Sequence, residues 1–501
     1  MTSQNSRVVE ILKQHGPLAS NDLANCLVNA RLASNEVTAR KMIERADIRS
    51  TKPIRFDKAF LYYLDEHAGP KYANAIRNLL PQKPSFNRVY KTLLANKGWI
   101  TAGQIGKSSG CLPPQSTSHA GGRLELNSVI EQLKTIKLID TNIGEDNIFR
   151  IGTQFGNTDI GISTFRRKIA LEQELIPPII DWLKNCYSLA HQSHSYRQHQ
   201  TQATEFNDAL FDIYGPIYFG PFATPDPEQL KKPKHGFITA DLLAYRTFTI
   251  IDAQALIERT KTINIRWKNT TIIPLAIAAS YSKEAWKLLK RCGIITITLG
   301  NVLGPHIDDL LHKFNLALSA TDLSEDNLNN IETSLKLAQD PKIDEGLLGN
   351  IKGALFELII ALTYRSIGYD TTLQKKIKGT ISPKTYEIDV VAIRGGTECK
   401  LIECKGRHRG YQENAGDLAR HFDSRCQTAS DEYGWNITQL YKNVEAIYIT
   451  SGSFSPEARS YVESNPRKHG ISCKAIDREN LFKLLEDANQ SRLIEVVNQY
   501  Y

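Results

Sequence analysis

No two cysteines in this sequence form a CxxC pair. The eight present are scattered, which argues against a disulfide scaffold and against a zinc ribbon. Cys399 and Cys404 are neighbours in sequence, but strand positions account for them better than a metal does. Long apolar runs are also missing: none approaches the roughly 20 residues needed to cross a bilayer. The polar start Met1-Thr2-Ser3-Gln4-Asn5 lacks the features of a secretory leader. A reduced, cytoplasmic protein with no membrane partner is therefore expected. Charge of one sign is only mildly in excess, a formal +8 over 501 residues, which suits nucleic acid without demanding it. The excess gathers in residues 70–152, with Lys71, Arg77, Lys83, Arg88, Lys91, Lys97, Lys107, Arg123, Lys134, Lys137 and Arg150 against few acids. A chain of this length is expected to hold about three or four domains.

What is present stands out most in two short apolar runs, 386–393 and 400–406. Both read as strands, yet they carry Asp389, Glu403 and Lys405. Side chains alternate across a strand, so Glu403 and Lys405 share one face and Ile402 and Cys404 the other. Charges in such strands are costly unless they pair or bind a metal. Upstream, a helix-like apolar segment at 353–362 embeds Glu357. Two carboxylates and a lysine on neighbouring strands, with a carboxylate from the preceding helix, suit metal-assisted phosphodiester hydrolysis. A hard cation such as Mg²⁺ needs only one or two carboxylates because it keeps several waters. It acidifies a bound water and offsets charge on the scissile phosphate. Lysine on the same strand face can orient the attacking water.

Glu357, Asp389, Glu403 and Lys405, in that order, resemble the PD-(D/E)xK nuclease superfamily, particularly Mrr-type restriction endonucleases and archaeal Holliday-junction resolvases. The resemblance covers about residues 346–480. The family's leading proline is replaced by Ile388. The resemblance implies an αβββαβ core with its sheet buried between helices. It also implies Mg²⁺, with Mn²⁺ able to substitute, held by Asp389, Glu403 and the Cys404 carbonyl, and Lys405 assisting the nucleophile. The downstream order agrees: a polar helix-prone stretch at 415–432, a strand at 446–450, and a helix from Pro456.

The amino-terminal third reads as two winged helices. In the first, helices at 6–14, 21–27 (capped by Ser20) and 34–44 precede a hairpin over 54–64, and the third helix would carry Arg40, Lys41 and Arg45 towards DNA. In the second, helices at 86–94, after Thr101, and at 129–136 precede a hairpin of 138–143 and 148–151 around a Gly144–Asn147 turn. Lys134 and Lys137 are its candidate DNA contacts. A polar insert spans 111–122. Winged helices also serve as protein contacts, so DNA and protein partners both stay open.

The middle region echoes the carboxy-terminal one. A strand leads into a helix through Ser280-Tyr281-Ser282-Lys283-Glu284-Ala285, and again through Ser453-Phe454-Ser455-Pro456-Glu457-Ala458. With 237–244 and 248–255 read as the preceding strands, Asp241 takes the place of Asp389, Asp252 that of Glu403 and Gln254 that of Lys405. A glutamine carries no charge, so this copy is expected to be degenerate. Helix-start chemistry alone can also place serine and glutamate there.

The expected architecture is a multidomain α/β chain: winged helices at 1–69 and 70–152, a degenerate nuclease-like domain at 153–310, a helical linker at 311–345 and a nuclease domain at 346–501. The expected function is metal-dependent DNA endonuclease action in defence against foreign DNA, with a homodimer for double-strand cleavage and other defence-system subunits as further partners. Alternatives are a non-catalytic DNA-binding or regulatory protein, and a nuclease acting on RNA or in repair and recombination.

Overall fold

The computed structural model describes residues 3–114, 123–141, 147–217, 223–224, 234–266, 270–340, 345–378, 385–431 and 435–501. Most of the polar insert and most of the expected turn at 144–147 lie outside the described residues. The architecture is mixed α/β with several sheets. The chain groups into two compact units: Met1–Ile160 with Leu183–Leu242 and Arg246–Thr296, and Gly161–Trp182 with Leu243–Tyr245 and Ile297–Tyr501. The segment 161–182, expected with the middle region, thus groups with the carboxy-terminal half.

In the first unit, helices Ser3–His15, Ser20–Asn29 and Glu36–Arg45 accompany a three-stranded sheet ordered Leu18–Ala19, Leu61–Tyr63, Arg49–Ser50. Ser20 is not the expected N-cap. It lies inside the helix, and its hydroxyl accepts the Phe60 N–H at 3.3 Å, pinning the helix to the sheet. Pro84–Ala95, Ala102–Ser109 and Leu126–Thr135 repeat the arrangement with a sheet ordered Trp99–Thr101, Ile148–Ile151, Ile139–Thr141. Here Thr101 does cap its helix, accepting the Gln104 N–H in a reciprocal capping box. Ile54, Phe56 and Leu61 bury against Val89, Leu93, Ile105 and Leu133 in one core that also takes Leu210. The boundary expected at 69/70 is therefore not a break in packing.

A larger sheet runs Ile295–Thr298, Ile272–Ala278, Lys234–Leu243, Ile213–Ile217, Ser195–Tyr196, beside a two-stranded one of Thr204–Phe206 and Ala209–Phe211. Phe248–Ala255, expected as a strand, instead leads into the helix Ile250–Arg266. Thr249 donates both its N–H and its hydroxyl to the Asp252 carboxylate at 2.8 Å, the local bonding of a helix start. Asp252 and Gln254 thus sit on a helix and cannot occupy the strand positions assigned to them.

In the second unit, a six-stranded sheet runs Asp370–Lys378, Thr385–Arg394, Glu398–Lys405, Asn443–Thr450, Ile471–Ile476, Arg467–Lys468. The first three strands are antiparallel, and the next two join in parallel. Against it packs the helix Glu345–Ser366, which by length and composition alone is long and apolar enough to cross a membrane. Its residues from Leu358 to Tyr364 are all buried within the protein, as in a core helix. Gly368, at φ +89°, allows the chain to turn out of this helix into the first strand.

Candidate active site

The site forms where two ladders of the second unit's sheet open. Val390 pairs with Ile402, and pairing continues regularly to Arg394 and Glu398. One step beyond Val390, Asp389 faces Glu403 outside the ladder. The Asp389 carboxylate instead accepts the Cys404 N–H at 2.8 Å. On the other side of Asp389, the ladder with the first strand is interrupted at Gln374 alone. Gln374 has φ +51°, a left-handed conformation that is costly for a residue with a side chain. Its carbonyl accepts from Arg166 at 2.6 Å. Backbone strain of this kind gathers at functional sites.

Glu403 is 2 % exposed and Asp389 9 %, yet their charges are handled differently. Lys405 Nζ donates to Glu403 Oε1 at 2.6 Å, and Arg425 Nη1 lies 2.8 Å from Oε2. Burial would raise the Glu403 pKa, but Lys405, His421 and Arg425 together hold it below the ordinary value. Asp389 has no ion-pair partner among the described residues. Burial, then Glu403, then Glu357 push its pKa well above the usual range. Burial opposes the charge on Lys405, but Glu403 and Asp389 outweigh it and raise its pKa, so it stays an ammonium.

Glu357 comes into electrostatic reach of Asp389 and Lys405, as expected. Burial raises its pKa, and Arg167 counters by ion-pairing its carboxylate while donating to the Ala354 carbonyl at 2.7 Å. The Cys404 thiol is buried with a strongly raised pKa, burial being the first cause. Cys404 can therefore serve the site only through its backbone.

Three residues escaped the sequence reading. Arg167 lies 190 positions from Glu357, and no local pattern links them. His421 and Arg425 fall in the stretch read as a polar helix, within a π-helical segment, Arg420–Arg425. An extra residue per turn of this kind redirects side chains, often at functional sites. His421 is buried with its pKa pushed down to about 4, first by burial. Its Nε2 is 3.3 Å from the Leu401 carbonyl, which makes that nitrogen the donor, and its Nδ1 is 4.0 Å from Glu403 Oε2.

The donor set fits a hard divalent cation. Asp389 is a buried carboxylate with no cation at ion-pair distance among the described residues, next to a second carboxylate. Glu403 Oε2 has no hydrogen bond in good alignment, so it keeps lone-pair capacity. Among the described residues no three His, Cys, Asp or Glu side chains form a ready metal cluster. The arrangement is two carboxylates and backbone, which suits an ion that keeps much of its water.

The candidate nucleic-acid contacts lie elsewhere. Arg40, Lys41 and Arg45 are exposed on the Glu36–Arg45 helix, with Arg40 paired to Glu36 at 2.5 Å. Lys134 pairs with Glu131 at 2.7 Å, and Lys137 lies exposed just past its helix at φ +56°.

No family model matches the chain, and no curated protein matches it. Among solved structures it is similar to the crystal structure of a protein of unknown function, AF1548. The identity is 21%, over 28% of this chain and 67% of that one, with a TM-score of 0.21.

Proposed function

We propose that the chain is a metal-dependent endonuclease acting on DNA, with Asp389, Glu403, Lys405 and Glu357 at its centre. The observation that carries this reading is the opening of the strand ladder where Asp389 faces Glu403, with an ammonium one step further on the same face. A bound Mg²⁺ or Mn²⁺ would supply Lewis-acid stabilisation of the phosphate and an acidified water. Asp389 and Glu403, with the Cys404 carbonyl, would hold it. Lys405, kept charged by two carboxylates, orients the water or meets the phosphate's negative charge. Glu357 sets the field at Asp389, and Arg167 holds Glu357 in place.

The fold reading that goes with this is a restriction-endonuclease-like core at the carboxy-terminal end. The two three-helix modules at the amino-terminal end are taken as winged helices that bring DNA through Arg40, Lys41, Arg45, Lys134 and Lys137. Cytoplasmic defence against foreign DNA is the proposed setting. One observation favours a second reading, a DNA-binding protein that does not cut: both Glu403 oxygens already face protein cations. Incubating the purified chain with DNA and RNA substrates, with and without Mg²⁺ or Mn²⁺, separates the two. Metal-dependent cleavage of DNA is expected. Binding without cleavage of any substrate would favour the second reading, and cleavage of RNA alone would correct the substrate.

A further inference from the structure

The first unit contains the same backbone arrangement as the candidate active site. Ile213 pairs antiparallel with Ala240, so Asp212 stands opposite Asp241 one step beyond the ladder. In the second unit Val390 pairs with Ile402, and Asp389 stands opposite Glu403 in the same way. The Asp212 carboxylate accepts the N–H of Leu242 at 2.7 Å. The Asp389 carboxylate accepts that of Cys404 at 2.8 Å. In both cases the donor is the residue after the facing carboxylate. In both, the second carboxylate is met by an arginine from the helical segment that follows its strand: Arg259 for Asp241, Arg425 for Glu403. Register therefore equates Asp212 with Asp389, Asp241 with Glu403 and Leu243 with Lys405. This replaces the assignment from spacing, which chose Asp252 and Gln254.

The two pairs differ in what faces the first carboxylate. Asp389 has no cation at ion-pair distance among the described residues. Asp212, fully buried, has two: Lys107 Nζ at 2.5 Å on Oδ2 and Arg197 Nη1 at 3.1 Å on Oδ1. Asp241 binds Arg259 through both oxygens, and Arg259 also reaches the Leu210 carbonyl. Lys107, Arg197 and Arg259 thus set three positive charges against two carboxylates. A divalent ion there would meet three fixed positive charges and find its carboxylate oxygens taken.

We infer that Asp212 and Asp241 form a closed copy of the candidate catalytic pair, in which Lys107, Arg197 and Arg259 stand where a metal would bind. The closed pair is a structural lock. Lys107 belongs to the Ala102–Ser109 helix of the second amino-terminal module, so its ion pair ties that helix to the sheet of the same unit. The burial of Asp212 would raise its pKa, but Lys107 and then Arg197 bring it below the ordinary value. Asp212 therefore stays ionised, and its ion pairs with Lys107 and Arg197 stay made, at neutral pH. The likeness to a catalytic pair rests on the nuclease reading of Asp389 and Glu403, whereas the lock itself does not.

Two measurements on the full chain test this. The first counts Mn²⁺ bound per chain by electron paramagnetic resonance, for the wild type, Asp389→Asn and Asp212→Asn. Asp389→Asn is expected to remove the bound ion, and Asp212→Asn to leave the count unchanged. Bound Mn²⁺ that persists in Asp389→Asn and disappears when Asp212→Asn is added would overturn the closed pair. The second is a double-mutant cycle in thermal unfolding with Lys107→Met and Asp212→Asn. Each single change is expected to lower Tm by several degrees, and the double change by clearly less than their sum. Additive losses would overturn the lock. Should either single variant fail to fold, Lys107→Arg supplies the arm: it keeps the charge and is expected to unfold near the wild-type Tm, and a loss as large as that of Lys107→Met would count against the lock. If the protein cuts nothing, the nuclease reading fails while this cycle still reads the lock.

Discussion

At the level of single residues, the candidate site depends on an unequal division of charge. Glu403 is neutralised by Lys405 and Arg425, whereas Asp389 has no ion-pair partner among the described residues. Asp389→Asn, Glu403→Gln and Lys405→Met should each lower DNA cleavage by on the order of 100-fold or more, with circular dichroism unchanged. Wild-type rates in all three would end the assignment. Glu357→Gln should reduce the rate more than substrate affinity, since it removes a charge beside Asp389 but can still accept from Arg167. Equal losses in kcat/KM and in binding would make Glu357 a packing residue only.

The shift on Asp389 carries a pH dependence. Its folded, metal-free pKa is raised, so the apo protein prefers the protonated carboxyl. That preference stabilises the apo fold at low pH and is lost as pH rises through the raised value. Metal ligation needs the ionised form. Mn²⁺ affinity should therefore keep rising with pH above the ordinary carboxylate range, with about one proton released per ion bound. Titration calorimetry in buffers of different ionisation enthalpy measures this. Affinity that stays flat with pH above the ordinary carboxylate range would mean that Asp389 is not a ligand.

At the level of elements, the π-helical segment Arg420–Arg425 decides which side chains reach Glu403. On the proposed metal reading, Arg425 would compete with the ion for this carboxylate. Arg425→Gln should lower the half-saturating Mn²⁺ concentration, because a neighbouring positive charge is gone. It should also lower the rate at saturating metal, because Glu403 loses a fixed partner. An unchanged half-saturating Mn²⁺ concentration together with an unchanged rate would place Arg425 outside the site. The strands that carry Asp389, Glu403 and Lys405, and the Glu357 helix, were legible in the sequence, since apolar runs interrupted by single charges mark them. The helix at Ile250–Arg266 was not. Ile250, Ile251, Ala253 and Ala255 suit a strand or a helix start alike, and only the turn of Thr249 onto Asp252 settles it.

For the whole molecule, the amino-terminal modules cannot be tested by deletion, because Ile54, Phe56 and Leu61 share a core with the second module and Leu210. Surface substitutions are the appropriate probe. Lys41→Ala with Arg45→Ala should weaken DNA binding and reduce the slope of log K against log salt by about 2, one for each lost phosphate contact. An unchanged slope would reassign the Glu36–Arg45 helix to protein contact. With the Asp212–Asp241 pair closed, each chain has a single candidate centre, so double-strand breaks should rise more steeply than linearly with protein concentration while nicks rise linearly. Linear growth of both would show one chain cutting both strands in turn.

The sequence by itself singled out the carboxylates and the lysine of the candidate carboxy-terminal site, because alternation along a strand is local and a charge in an apolar run stands out. It also determined the capped helix after Thr101 and the strands at 139–141 and 148–151, which depend on near neighbours. Tertiary structure decided what no spacing carries. It brought Arg167 to Glu357 across 190 positions and Lys107 to Asp212 across 105. It also set the register that makes Asp212, rather than Asp252, the partner of Asp241. Ion pairs between distant segments leave no trace in local periodicity. A one-residue change of register moves every side chain to the other face, so the matching carboxylates could be named only once the ladders were known.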